Sequence, residues 1–358
     1  MVVLQVCAYG AEYPGNFIAS LETLESALKQ KGIDTIYAFV EKARDRRWCK
    51  DIQRRSKVYF LPEAKARVLP KTYKLFRRIY SENDISIVHS HFELYDIPTT
   101  VTAPKGIKVF WHLHDPIEIG RGLRQLIWKI QYGFVSRKAN LISVADYYRK
   151  AVVELGFPAE QTTTVVNGIN LARIRDCRSD CNIRYDFLTF GWDFLRKGDD
   201  VILEACKRLE KEGYSFKLLL NGNDVTWSKV KEYMKGEIPK WLVFGEPVDD
   251  VNLLFSQSRV FIQASRRETF SYAVCEAVYA GLPVISSDIP GLEWAHDLSS
   301  ITFFENESID QLYLLMRRSL DSELLSEEEL NLNHSRDVIC QKYSLDAWSE
   351  RIIKQYCL

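Results

Sequence analysis

The 358-residue chain has no apolar run near the roughly 18 residues that a membrane-spanning helix requires. No basic segment precedes its first apolar run, so Met1-Val2-Val3-Leu4-Gln5-Val6 reads as a buried strand and not as a secretion signal. Eight cysteines are scattered, with Cys177-x3-Cys181 the one close pair. That pattern supplies neither a disulfide framework nor a four-ligand zinc site, and a reduced, cytoplasmic protein is expected. No GxGxxG follows a predicted strand, which disfavours a dinucleotide-dependent oxidoreductase. No HExxH or paired-Cys motif completes a metal shell. A net formal charge of zero with 12% aromatic residues excludes a disordered chain, because there is ample apolar surface to bury.

The zero net charge is unevenly distributed. Residues 1–170 hold 25 basic and 17 acidic side chains, which leaves 23 and 31 for the rest. The basic excess is densest between Glu41 and Arg78, with 14 basic and 4 acidic residues. Such a tract attracts phosphates or an anionic membrane surface, and otherwise forms a solvated loop and helix face. No nucleic-acid motif accompanies its aromatics, so nucleic acid is not expected as a partner.

Short apolar runs alternate with amphipathic stretches from end to end. Val2–Cys7, Thr35–Val40, Ile85–Val88, Lys108–His112 and Leu141–Val144 read as strands in a first series. Phe17–Lys31 repeats apolar residues at helical spacing and stops at Gly32. After the turn at Asn167-Gly168 the pattern restarts with Phe187–Phe190, Phe216–Leu220, Trp241–Phe244, Val260–Gln263, Val284–Ser286 and Ile301–Phe304. Strands that alternate with helices specify parallel sheets covered on both faces. Two series imply two doubly wound α/β domains, residues 1–170 and 171–342. In such sheets ligands bind beyond the carboxyl ends of the strands, and with two sheets the expected site is a cleft between them.

The densest chemistry lies between Glu268 and Glu276. This stretch follows the strand Val260–Gln263 and enters a helix over Tyr272–Ala280 that ends at Gly281 and Pro283. Amide groups around Thr269–Ser271 at the helix start favour phosphate. Eight residues at a helical rise of about 1.5 Å separate the carboxylates by at most roughly 12 Å. That length matches a nucleotide's ribose, a diphosphate and an attached sugar, and each carboxylate can accept two bonds from vicinal hydroxyls. Alone, two glutamates at this spacing are also compatible with solvated surface residues.

Glu268-x7-Glu276, followed by Gly281-Leu282-Pro283-Val284 and Pro290-Gly291-x-Glu293, resembles the donor-site signature of retaining glycosyltransferases of family GT4, whose fold is GT-B. Other pieces agree in order. Val166-Asn167-Gly168-Ile169-Asn170 is similar to the segment that precedes the family's second domain. Gly191 through Lys197-Gly198 resembles its phosphate loop, and Pro14-Gly15-Asn16 its first glycine-rich loop. His89-x-His91 and His112-x-His114-Asp115 resemble its first-domain histidine strands.

The resemblance implies two facing Rossmann-like domains, with a terminal helix over 343–358 returning to the first. It implies that Glu268 binds sugar hydroxyls and Glu276 the ribose, while Thr269, Phe270 and Ser271 face the diphosphate and sugar. Lys197 is implied as the diphosphate cation that stabilises the leaving group. His114 would approach the donor sugar, with Gly15 and Asn16 beside it. His89, His91 and His112 are read as core residues, with acceptor contact open for one of them and a metal site as the sharper alternative.

Two departures stand out. Trp192-Asp193 follows Gly191 where the family commonly has arginine, so either Arg196 replaces it on the phosphates or Trp192 takes a different part there. Asn16 replaces a second glycine. The implied activity is transfer of a hexosyl or N-acetylhexosaminyl group from a nucleotide-diphospho-sugar, expected to be UDP-linked, to a glycan or lipid-linked acceptor in surface polysaccharide synthesis. Neither a cofactor nor a metal is expected, and the protein would work in the cytoplasm or at the inner face of the membrane. The rival readings are a nucleotide-sugar epimerase of the same fold, a histidine-ligated metal hydrolase, and an idle sugar-nucleotide binding module.

Overall fold

The computed structural model of the protein describes residues 1–115, 122–178, 182–321 and 325–357. The chain divides into two compact units, Met1–Gly168 with Leu345–Leu358, and Ile169–Ser344.

Seven strands make the first sheet: β1 (Val2–Cys7), β2 (Asp34–Val40), β3 (Val58–Leu61), β4 (Ile85–His91), β5 (Lys108–Leu113), β6 (Asn140–Ser143) and β7 (Thr162–Thr164). Their spatial order is β3-β2-β1-β4-β5-β6-β7, and neighbouring strands run parallel throughout. The order reverses at β1, between β2 and β4, which is the switch point where parallel sheets of this kind bind ligands. The near-continuous apolar sequence of β1 suits burial on both faces. Helix Gly15–Gln30 covers the sheet with Ile18, Leu21, Leu24 and Leu28.

The terminal helix Leu345–Gln355 belongs to this unit. It buries Trp348, Ile352 and Ile353, with Tyr356 just beyond it, among Val3, Leu24, Leu28, Ile87 and Phe110. Each large apolar side chain so buried contributes about 1.5–3 kcal/mol. Within Glu41–Arg78 the expected loop and helix face also holds strand β3 and the helices Arg47–Gln53 and Pro70–Glu82. Lys42, Arg44, Arg54, Arg55, Arg67 and Arg78 of that tract pair with Glu63, Glu41, Asp51, Glu22 and Glu25, Glu93 and Glu82, which offsets part of its positive field.

The second unit has six parallel strands: β8 (Tyr185–Phe190), β9 (Leu218–Asn221), β10 (Leu242–Gly245), β11 (Ser258–Gln263), β12 (Val284–Asp288) and β13 (Ile301–Glu305), ordered β10-β9-β8-β11-β12-β13. Its switch point lies at β8, between β9 and β11. Helix Tyr272–Ala280 is apolar almost all round and is correspondingly buried. Gly281, at φ +96°, ends it in the left-handed conformation that side chains avoid. Among the described residues, no helix is long and apolar enough to cross a membrane. Cys177 is buried in this unit as a free thiol, while Cys181 lies outside the described residues.

Candidate active site

The switch point of the second sheet gathers a carboxylate and two cations. Glu268 follows β11, and its Oε1 accepts from Lys197 Nζ at 2.6 Å and from Arg196 Nη1 at 3.3 Å. Ser265 Oγ at 2.9 Å and Gln263 Nε2 at 3.1 Å donate to the same oxygen. The side chains of Lys197 and Glu268 are only 11% and 10% exposed. Four donors on one oxygen compensate a carboxylate withdrawn this far from water. Gln263 and Ser265 carried no motif signal. They line up with Glu268 because the end of β11 turns directly into the Glu268 loop.

Arg196 and Lys197 lie in the turn between β8 and helix Asp199–Lys211. Arg266 clamps that turn, through two bonds of 2.8 Å to Asp200 and one from its own amide to the Arg196 carbonyl, also 2.8 Å. Arg196 also reaches Asp193 at 3.4 Å, so the acidic residue that follows Trp192 helps to orient its guanidinium.

Two glycines set how closely these loops approach. A Cβ on Gly198, whose φ is +69°, would lie 2.0 Å from the Ala264 carbonyl oxygen. A Cβ on Gly291 would lie 1.8 Å from the carbonyl oxygen of Glu268 itself. Any side chain at either position must therefore push a segment carrying a site residue.

Thr269, Phe270 and Ser271 connect Glu268 to helix Tyr272–Ala280. Phe270 stacks on Trp294 at 4.5 Å between ring centroids, and Trp294 Nε1 donates to the Phe270 carbonyl at 2.8 Å. Ser271 has φ +58°, and its buried hydroxyl finds no partner among the described residues. It gives the helix no side-chain cap. A helix start without a side-chain cap is a place where the partial positive charge of the helix end favours an anion. Glu276, one turn further on, is 4% exposed and paired with Arg173, a residue without a sequence signal of its own.

Asp199, the first residue of helix Asp199–Lys211, is fully buried beside Gly191, and neither of its carboxylate oxygens has a partner among the described residues. Burial raises its pKa to about 8, against a smaller opposing pull from Lys197.

In the first unit, the period of two along a strand places Gln5 of β1, His89 and His91 of β4, and His112 and His114 of β5 and its end on one face of three adjacent strands. His91 Nδ1 and His114 Nε2 are 3.0 Å apart, and His91 Nε2 is 2.9 Å from Gln5 Oε1. His89 Nδ1 lies 2.6 Å from Tyr356 Oη, and His89 Nε2 3.1 Å from His112 Nδ1. Gln5 Nε2 donates to Tyr356 Oη at 3.3 Å. Burial depresses all four imidazoles, His89 and His114 to about 3, so every ring is neutral at pH 7.

One nitrogen from each of His89, His91 and His112 lies within 4.8 Å of the others, close enough to share a metal ion. Both nitrogens of His89 and of His91 are already hydrogen-bonded, however, and among the three rings only His112 Nε2 is buried without a partner among the described residues. Gly15 begins helix Gly15–Gln30 at φ +56°. A Cβ there would meet only Tyr9 Oη at 3.6 Å, so backbone conformation rather than crowding calls for glycine. Asn16 beside it is buried.

Comparison with known proteins identifies the class to which this architecture belongs. A glycosyltransferase structure from Rickettsia africae superposes with a TM-score of 0.81 at 16% identity, covering 99% of this chain and 97% of that one. The Anabaena HepE structure, in complex with UDP and glucose, gives 0.77 at 14% identity, over 100% and 99%. The fold is thus the two-domain α/β GT-B fold. Family models described as "Glycosyltransferase Family 4" and "Glycosyl transferases group 1" match residues 19–173 and 185–321. The chain belongs to the group 1, GT4-like glycosyltransferase family. An O-antigen biosynthesis glycosyltransferase from Escherichia coli, WclY, is 26% identical over 190 residues, which is 50% of each chain. The chain spans about half the length of the curated relatives it matches.

Proposed function

We propose that this protein is a retaining glycosyltransferase that moves a sugar from a UDP-linked donor to a glycan or lipid-linked acceptor in polysaccharide synthesis. The observation that carries the reading is the buried Glu268 carboxylate held by Lys197 and Arg196 beside the uncapped start of helix Tyr272–Ala280. The UDP complex of HepE and the O-antigen role in the name of WclY support the choice of nucleotide and pathway class.

On this reading the amides of Thr269–Ser271 and the two cations take the diphosphate. Glu268 accepts from hydroxyls of the transferred sugar, Glu276 accepts from the ribose, and His114 contributes a further sugar contact. As the glycosidic bond lengthens, negative charge moves onto the departing phosphate, where Lys197 and Arg196 neutralise it without reorganising. The leaving phosphate oxygen removes the proton of the acceptor hydroxyl as that hydroxyl attacks from the same face. The protein's contribution is positioning and charge stabilisation. With two protein cations assigned to the diphosphate on this reading, no metal is assigned to the step.

The decisive experiment incubates the protein with UDP-, GDP- and ADP-sugars, reading melting temperature first and then transfer to acceptor glycans. A UDP-sugar should raise the melting temperature most. The product should keep the donor's anomeric configuration by NMR, and activity should persist in EDTA. Glu268→Gln should lower kcat/KM by about 100-fold or more. Stabilisation by another nucleotide, an inverted product, or full activity of Glu268→Gln would each overturn a stated part of the proposal.

A further inference from the structure

Helix Leu123–Phe134 of the first unit is apolar on two opposite sides. One side packs inward, where buried Tyr132 and partly buried Trp128 meet Trp111, Leu141 and Phe157. At about 100° per residue, Leu126, Ile130 and Phe134 form a second stripe centred on the far side of the helix. They are 54%, 54% and 75% exposed. A surface helix ordinarily carries one apolar stripe and turns polar residues to the solvent. The four-residue spacing stacks these three large side chains into one strip, unlike the scattered single apolar residues of an ordinary surface.

The charge around this strip has one sign. Residues 123–138 contain Arg124, Lys129, Arg137 and Lys138 and no acidic residue. Lys129, Arg137 and Lys138 are exposed, and none of them forms an ion pair among the described residues. In the Glu41–Arg78 tract, by contrast, Lys42, Arg44, Arg55 and Arg78 are already paired with carboxylates.

These features select among occupants. A second copy of the chain, docked across a two-fold axis, would set the strip against itself and bring like cations together. Three side chains also cover well under the roughly 800 Å² per partner of a stable protein interface. A bilayer with acidic lipids needs no such area. It offers apolar depth to the strip and negative charge to the cations that border it.

We propose that helix Leu123–Phe134 lies on an anionic membrane surface, with Leu126, Ile130 and Phe134 sunk among the lipid headgroups and Lys129, Arg137 and Lys138 against their phosphates. Attachment is peripheral and reversible, since one short strip and a few charges fall far short of a spanning helix. The Glu41–Arg78 tract, whose positive charge is the denser in the sequence, is not the contact surface. None of this depends on the transfer reaction assigned above.

The test is co-sedimentation of the full chain with vesicles of phosphatidylethanolamine and phosphatidylglycerol, set against vesicles of phosphatidylcholine alone. Binding should favour the anionic vesicles by about tenfold or more. It should weaken as salt is raised from about 50 to about 500 mM. Ile130→Ser/Phe134→Ser should lower binding to anionic vesicles by about tenfold or more. Lys129→Glu/Arg137→Glu/Lys138→Glu should lower it by about 100-fold. All five side chains are exposed, so each variant should melt close to the wild type.

Lys71→Glu/Lys74→Glu/Arg77→Glu makes the same change of charge in the other basic tract and should leave most of the binding in place. No binding to anionic vesicles, equal binding to both vesicle types, undiminished binding of either helix variant, or an equal loss in the tract variant would overturn the proposal. So would a dimer, detected by light scattering, that Phe134→Ser dissociates, because the strip would then belong to a second copy. Vesicle binding of the expected pattern by a protein that turns over no donor would reject the glycosyltransfer reading and keep the membrane surface.

Discussion

Lys197 and Glu268 test whether the buried charges belong together. Their 2.6 Å contact lies in a site with little water, where separating the partners is more damaging than removing both. Lys197→Met keeps the length of the side chain but strips the carboxylate of its nearest cation, with Arg196 left at 3.3 Å. Destabilisation of about 3 kcal/mol is expected in urea denaturation. The double variant Lys197→Met/Glu268→Gln should be less destabilised than the sum of the two single changes, because the uncompensated charge is gone. Additive effects would mean that the pair is not coupled. Arg173 makes the same point for Glu276, and it illustrates what a motif omits. The family pattern names the carboxylate, whereas the cation that pairs with it comes from a distant part of the chain.

Elements were legible where one signal repeated. Helix Tyr272–Ala280 is bounded by strands and ended by Gly281 and Pro283, and its structural limits coincide with those read from sequence. Strands β3 and β7 do not stand out in the sequence. Val58–Leu61 lies within a basic tract whose charge conceals a four-residue edge strand, and Thr162-Thr163-Thr164 is a half-buried edge without an apolar face. The Glu268–Glu276 site was legible because its chemistry is continuous in sequence. The Gln5–His91–His114 chain was not, because its members meet only across β1, β4 and β5. Gly291 belongs to the same scale, since it joins two elements and carries no chemistry. Its missing Cβ lets Pro290–Asp297 pack against the Glu268 carbonyl, so Gly291→Ala must displace the Glu268 loop. That variant should lower donor affinity by about tenfold or more, the effect of losing roughly 1.4 kcal/mol. Calorimetry with UDP-sugar would measure the change, and unchanged affinity would show that the loop accommodates the methyl group.

The two units carry opposite pH liabilities. In the first unit burial holds the four histidines below their ordinary pKa, so the unfolded chain takes up protons that the folded unit refuses. Their contribution is complete above about pH 6.5 and declines as the pH falls toward 3. Asp199 in the second unit has the reverse sign. Its folded pKa of about 8 exceeds the ordinary aspartate value of 3.8, so its contribution is complete below about pH 4 and is lost as the pH rises to 8. Asp199→Asn removes this ionisation. Its stability relative to the wild type should therefore climb with pH, by up to about 1.4 kcal/mol per unit between pH 5 and 8, and then level off. Urea denaturation of both proteins at pH 5, 6, 7 and 8 measures the difference. A constant difference would show that Asp199 ionises normally in the folded protein, which requires water or an unrecognised donor at the buried carboxylate beside Gly191.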